Sequence, residues 1–153
     1  MKQILVIFAV FVFFLSYNIA QAQTKEETIS WIKEKINKYK RRYASDYSIP
    51  SIESINECEV ILKYDRGHDE NVWANYTVII PTSGVLIDGD GDIRSREESI
   101  RVVKHFIENG TSFSEFNKRS SIDLAKGEYD LYARLVRGFA HLNKFCPVKK
   151  EAF

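Results

Sequence analysis

Residues 95–110, SREESIRVVKHFIENG, are the stretch on which the fold turns. Two readings compete. Ser95 followed by Glu98 makes a capping box, and Ile100, Val103, Phe106 and Ile107 recur at helical spacing. Asn109-Gly110 would then close a helix. Against this, Ile100, Val102, Val103, Phe106 and Ile107 are residue types that favour strands, and Asn-Gly is equally a hairpin turn. The strand reading is preferred, because the neighbouring segments otherwise supply only two or three strands and a thin core. Helix over 95–109 is the open alternative.

Working outward, the segments before this stretch read as strands. In Asn56–Asp65, Cys58, Val60, Leu62 and Tyr64 alternate with Glu57, Glu59 and Lys63, the pattern of a half-buried strand. Residues 66–71 read as a polar turn. Val72–Ile80 follows with Val72, Ala74, Tyr76, Val78 and Ile80 on one side, so the two runs are expected to pair as an antiparallel hairpin. Pro81 to Gly84 turns the chain into a short strand, Val85–Ile87. Trp73, beside Asn75 and Thr77 on the opposite side, is expected to be covered by a neighbouring element, since large aromatics bury most of their area.

Helices close both ends. Thr24 with Glu27 is a capping box, and Ile29, Ile32, Ile36, Tyr39 and Tyr43 step by three and four, which predicts an amphipathic helix over 25–43. Residues 45–54 read as a loop. After the polar stretch 112–121, with Phe113 and Phe116, a last short strand over 121–125 leads to a terminal helix over Gly127–Cys146. Leu131, Leu135, Gly138, Phe139, Leu142, Phe145 and Cys146 share one face of that helix; Arg134, Arg137, His141 and Lys144 lie on the other. Its apolar face is expected to cover the Cys58–Val60–Leu62–Tyr64 strand face, with Gly138 at the close approach. Helix, antiparallel strands, helix is an α+β order.

The N-terminus carries an address. Lys2 precedes an apolar run from Ile4 to Leu15, and Ala20-Gln21-Ala22 has the small-x-small pattern of signal-peptidase cleavage. The run is shorter than the ~20 residues needed to span a bilayer. The reading is a signal peptide over 1–22 and a single domain over 23–153, periplasmic or extracellular, with no transmembrane segment after cleavage. Cleavage leaves 131 of the 153 residues, with 21 basic and 21 acidic side chains. That balance argues against nucleic acid as a partner. Two cysteines in an exported chain predict a Cys58–Cys146 disulfide; they lack the paired spacing of a zinc site.

Candidate sites are sparse. Asp88-Gly89-Asp90-Gly91-Asp92 places carboxylates at alternate positions, as in the opening of an EF-hand loop, so Asp88, Asp90 and Asp92 are weak metal candidates. Ile93 stands where that loop needs Gly and Ser99 where it needs Glu, which favours a tight turn. The basic run Lys38–Arg42 reads as a solvated helix face. His68, His105 and His141 have no spacing that pairs them with one another or with a carboxylate; Arg134, Arg137 and His141 sit one turn apart and read as surface residues, with a small basic patch as the alternative. No nucleophile elbow or phosphate-cradling glycine loop occurs. No catalytic residue and no cofactor is expected.

The helix start Thr24-Lys-Glu-Glu-Thr-Ile-Ser-Trp-Ile32, the cysteine-bearing first strand, the closing Arg134-Leu-Val-Arg-Gly-Phe-Ala-His-Leu-Asn-Lys-Phe-Cys146 and the final Glu151-Ala-Phe153 carry a resemblance. The chain resembles small exported bacterial proteins of unknown function whose strand-then-helix order is similar to pleckstrin-homology-like folds. That resemblance implies a partial barrel closed by a C-terminal helix, and no catalytic residues. The functional expectation is a non-enzymatic exported domain that binds a partner protein or an anionic envelope component. The alternative is a calcium-dependent small hydrolase or lectin-like module using Asp88–Asp92.

Overall fold

Residues 100–106 form a strand, and it sits inside a sheet. The computed structural model describes residues 24–41, 49–69 and 72–147. Helix α1 (Lys25–Tyr39) is followed by nine strands: β1 (Lys40–Arg41), β2 (Ser51–Ile55), β3 (Glu59–Asp69), β4 (Val72–Pro81), β5 (Val85–Ile87), β6 (Asp92–Ser95), β7 (Ile100–Phe106), β8 (Ser112–Asn117) and β9 (Arg119–Leu124). Helix α2 (Leu131–Asn143) ends the described chain's regular structure. The signal peptide read over 1–22, Tyr43 at the end of the first stripe, and the closing Glu151-Ala152-Phe153 lie outside the described residues.

Two antiparallel sheets result, a five-stranded one in the order β2-β3-β4-β7-β8 and a four-stranded one in the order β1-β9-β6-β5, and they do not close into a barrel. The architecture is α+β. β7 pairs with β4 on one side and β8 on the other, with Val78 opposite Val102 and Val102 opposite Glu115. Ile100 and Val102 are buried, and Asn109-Gly110 forms the hairpin turn, Gly110 standing at φ 68°. Cross-strand partners on both sides thus outweigh the local capping box at Ser95.

Several boundaries differ from the sequence expectation, each for a local reason. Ser51–Ile55 is a strand where a loop was expected. Ile52 pairs with Leu62 and Ser54 with Ile61, so Glu53 is an extra residue that brings Ile52 and Ile55 onto the core despite their spacing of three. β3 runs through the expected turn to Asp69, because an irregularity between Tyr64 and Gly67 absorbs one residue and pairing resumes at Gly67–Ala74. The stretch 112–121, read as polar, supplies β8. α1 stops at Tyr39 rather than Tyr43: Lys40 turns extended, Lys40 and Arg41 pair with Leu124 and Asp123, and the Tyr39 carbonyl accepts the Ala125 N–H at 2.7 Å. α2 begins at Leu131, behind Asp130 in the left-handed region at φ 55°.

One core joins all the layers. Ile32 and Ile36 of α1, Val60, Leu62 and Tyr64 of β3, Ala74, Tyr76, Val78 and Ile80 of β4, and Leu131, Leu135, Phe139 and Leu142 of α2 are buried together. Each such aliphatic side chain contributes roughly 1.5–3 kcal/mol by leaving water. α2 lies against α1 and β5 rather than on the Cys58–Tyr64 face of β3 alone. Its glycine serves the helix pair: a Cβ on Gly138 would meet Ile32 at 3.2 Å and Trp31 at 3.4 Å. Trp73, on the outer face of β4, is 47% exposed and is not covered as expected. The Cys58–Cys146 disulfide is present, with Cα atoms 4.9 Å apart, and joins the start of β3 to the turn after α2. A disulfide fits an oxidising compartment. Among the described residues no helix is long and apolar enough to cross a membrane.

Candidate functional site

The sequence of α2, LYARLVRGFAHLN, contains no acidic residue. The negative C-terminal end of a helix favours cations and accounts for His141, but Arg134 and Arg137 stand in the first two turns, where the dipole gives no such reason. Arg134 has a local one. Glu128, just ahead of the helix, accepts hydrogen bonds from Lys35 Nζ at 2.8 Å, Tyr39 Oη at 3.1 Å and Arg134 at 3.2 Å. The Lys35 hydrogen bond above all draws the Glu128 carboxyl down to about 2. This carboxylate clamps α1 to α2 at one end, and Gly138 lets them touch at the other.

Between those two points the helices leave a groove. It encloses about 480 Å³ and is lined by Trp31, Arg134, Arg137, Gly138 and His141. The Arg134 guanidinium stacks over the Trp31 ring at 5.1 Å, and the His141 ring meets Phe145 edge-on at 5.2 Å. Arg137 is exposed and has no ion-pair partner among the described residues. A groove with three basic side chains, an aromatic wall and no acid on its own helix suits an anionic group. The basic patch was visible in the helical spacing. The Trp31 wall was not, because it depends on how α1 crosses α2.

A second cavity of about 720 Å³ lies at the start of α2, between that helix and the turn after β5. Ile87, Leu131 and Val136 supply apolar wall, and Asp88, Lys126, Glu128, Asp130 and Arg137 supply charge. Arg137 lines both cavities, which adjoin at this residue.

Asp88–Asp92 forms a turn in which the Asp88 and Asp92 carboxylates meet protein partners. Asp88 Oδ1 accepts the N–H groups of Asp90 and Asp92, each at 3.0 Å, and its Oδ2 pairs with Arg94 at 2.7 Å. Asp90 offers its carbonyl to Arg41 at 2.9 Å. Asp92 is buried, ion-paired with Arg119 and, at 3.4 Å, with Arg94. Among the described residues no three His, Cys, Asp or Glu side chains are placed to hold a metal ion. His105 Nδ1 meets the Ser112 hydroxyl at 2.8 Å between β7 and β8, His141 lines the groove, and His68 belongs to β3.

Sequence reasoning missed one acid. Asp123 of β9 stands opposite Asp92 of β6, and their carboxyls share a hydrogen bond. Burial, then the neighbouring Asp92 carboxylate, push the Asp123 carboxyl up to about 6, against the pull of Arg41 and Arg119. Burial also works to raise Asp92, but hydrogen bonds from Asp123 and Arg119 outweigh it and hold it below its usual range. Carboxyls with divergent affinities for a proton mark many acid–base sites. This pair lines neither cavity described above. Nothing in the local sequence signals it, because the pairing is a register fact of β6 and β9.

The pair has a measurable consequence. A carboxyl raised in the folded state binds its proton more tightly there, so its stabilising contribution is present below about 3.8 and is lost as pH rises through about 6. Asp123→Asn keeps a hydrogen-bond donor toward Asp92 and carries no charge. It is expected to stabilise the protein at pH 7.5 by about 1–2 kcal/mol, after discounting the shift for solvent screening, and to give no gain near pH 4. Urea unfolding at the two pH values checks this, and equal effects at both would remove the shared proton.

No protein-family model, no curated protein and no solved structure matches this chain.

Proposed function

We propose that the chain is an exported, non-enzymatic domain that binds an anionic envelope component in the groove between α1 and α2. The observation that carries the reading is Arg134, Arg137 and His141 on successive turns of an acid-free helix, above Trp31. Supporting it, the buried Asp92 and the half-buried Asp123 line neither cavity. The pleckstrin-homology-like likeness belongs to the same reading. Two antiparallel sheets followed by a C-terminal helix support it, while α1 and the open sheet edges depart from it.

Calorimetric titration with poly-L-glutamate against poly-L-lysine, at about 0.1 M salt so that only close contacts survive screening, tests the groove. Polyglutamate is expected to bind, and the double variant Arg137→Glu/His141→Glu to bind it at least about tenfold more weakly. Equal binding of both polymers, or an unaffected double variant, would sink the reading. The calcium-dependent hydrolase or lectin-like alternative requires Asp92 to leave Arg119 and Arg94. A silent titration at calcium on the order of millimolar removes it.

A further inference from the structure

We propose that the outer face of the five-stranded sheet binds an acidic oligosaccharide, with one sugar ring stacked on Trp73 and a carboxylate held by Arg101. This face belongs to β4, β7 and β8, and the proposal is independent of the α1–α2 groove.

Strand alternation builds the face. Ala74, Tyr76, Val78 and Ile80 of β4 are buried in the core, so Trp73, Asn75, Thr77 and Ile79 point the other way. Register carries the face across the sheet. Asn75 stands opposite His105, Thr77 opposite Val103 and Ile79 opposite Arg101, and β8 continues these rows with Ser112, Ser114 and Phe116. The exposed Ile107 extends the row of Trp73, its N–H donating to the Trp73 carbonyl at 3.0 Å. A half-exposed indole thus borders rows rich in hydroxyl, amide and imidazole groups. The His105–Ser112 contact at 2.8 Å, and an Arg101 Nε bond to the Ser114 hydroxyl at 2.9 Å, hold both basic side chains over the open face.

Chemistry selects the ligand. A sugar ring offers an apolar face edged by hydroxyls, which matches an exposed tryptophan beside side chains that donate and accept hydrogen bonds. None of these outward positions on β4, β7 and β8 carries an acidic residue, and Arg101 makes no ion pair among the described residues. The charge of the face therefore complements an anion, and a guanidinium fork suits a carboxylate. A single strand of nucleic acid would need a basic track along its backbone, which Arg101 and His105 alone do not make. Trp73 and the Ile79–Arg101–Phe116 row stand six residues apart along β4, about 20 Å, so the ligand is a chain of several rings rather than a monosaccharide. Phe116, 61% exposed, offers a second aromatic ring at the far end.

Trp31→Phe leaves Trp73 as the sole tryptophan, so fluorescence then reports the face directly. Tetragalacturonate is expected to change that emission, and poly-L-glutamate, which has no rings, to leave it unchanged. Calorimetry in the Arg137→Glu/His141→Glu variant, whose groove repels anions, keeps the two sites apart. There tetragalacturonate is expected to bind, and its methyl ester to bind at least about fivefold more weakly, having lost the charge-assisted contact. Adding Trp73→Ala is expected to weaken tetragalacturonate at least about tenfold, with the fold intact by circular dichroism. Adding Arg101→Gln instead is expected to abolish the difference between acid and ester. Unchanged Trp73 emission, or equal affinity with and without the Trp73 ring, overturns the proposal. Tighter binding of oligothymidylate than of tetragalacturonate would assign the face to single-stranded nucleic acid. Self-association that Trp73→Ala abolishes would assign it to a second copy of the chain, and either result overturns the sugar assignment.

Discussion

Cys58→Ala is expected to lower the melting temperature by roughly 10–20 °C, the largest effect of any single side-chain removal outside the core. The bond spans a sequence separation of 88 residues, and chain entropy assigns a loop of that length about 4–5 kcal/mol. That is a large share of the ~5–15 kcal/mol by which a domain of this size is stable. The effect is not uniform. Cys146 lies just past α2, whose last turn is otherwise held by buried Phe139 and Leu142 and by a 3.5 Å contact from the buried Thr82 hydroxyl to Asn143 Oδ1. Hydrogen exchange is therefore expected to accelerate first in the last turn of α2, which carries His141, and later in β3 and β4. Wild type treated with reductant should melt close to the variant. Equal melting temperatures for oxidised wild type and Cys58→Ala would falsify a structural role for the bond. The site follows the tether: under reducing conditions the protein is expected to lose order at the groove before it loses its sheets.

How much of this was legible beforehand depends on whether the information is local. The capping box at Thr24 is local, and both of its hydrogen bonds are present, at 3.1 Å and 2.9 Å. The alternation of Val60, Leu62 and Tyr64 against Ile80, Val78 and Tyr76 is nearly so, and the hairpin pairs them in register. Ser95–Gly110 was ambiguous because its local signals conflict, and only strands on either side decide it. β2 escaped notice because a bulge hides its alternation, and β8 because its face is polar. The groove was half legible. Arg134, Arg137 and His141 follow from helical spacing, whereas Trp31 enters through the α1–α2 crossing that Gly138 permits. Asp92 with Asp123 was not legible at all, since neither neighbourhood hints that β6 and β9 lie side by side.

Those two carboxyls and the groove divide the protein's ionic groups by purpose. Arg41, Arg94 and Arg119 surround Asp92, Asp88 and Asp123 and hold the four-stranded sheet to its turn. Lys35 and Arg134 hold Glu128 and fix the helix pair. Once these are set aside, Arg137 is the arginine of the groove that has no ion-pair partner among the described residues. The groove proposal rests on that remainder rather than on the near-zero net charge.

Gly91→Ala is expected to destabilise by about 3–5 kcal/mol, while Gly89→Ala, two residues away in the same Asp-Gly-Asp-Gly-Asp run, is expected to stay within about 0.5 kcal/mol of wild type. Gly91 stands at φ 95°, where a side chain is strained, and a Cβ there would overlap the Leu124 carbonyl oxygen and crowd the Tyr132 hydroxyl at 2.8 Å. That carbonyl is already the acceptor for Tyr132 Oη at 2.7 Å, and the Leu124 N–H donates to Gly91 O at 2.9 Å. The substitution thus adds backbone strain and overpacking, each costing about 1–3 kcal/mol, at the contact between the β5–β6 turn, β9 and α2. Gly89 has no positive φ and open space where its Cβ would point. Losing its backbone freedom in the unfolded chain offsets any small cost of the new methyl group. Urea unfolding of the two variants separates turn from ion site. If the run served mainly as flexible ligand-bearing backbone, both alanines would act alike, and similar unfolding midpoints would remove the packing account of Gly91.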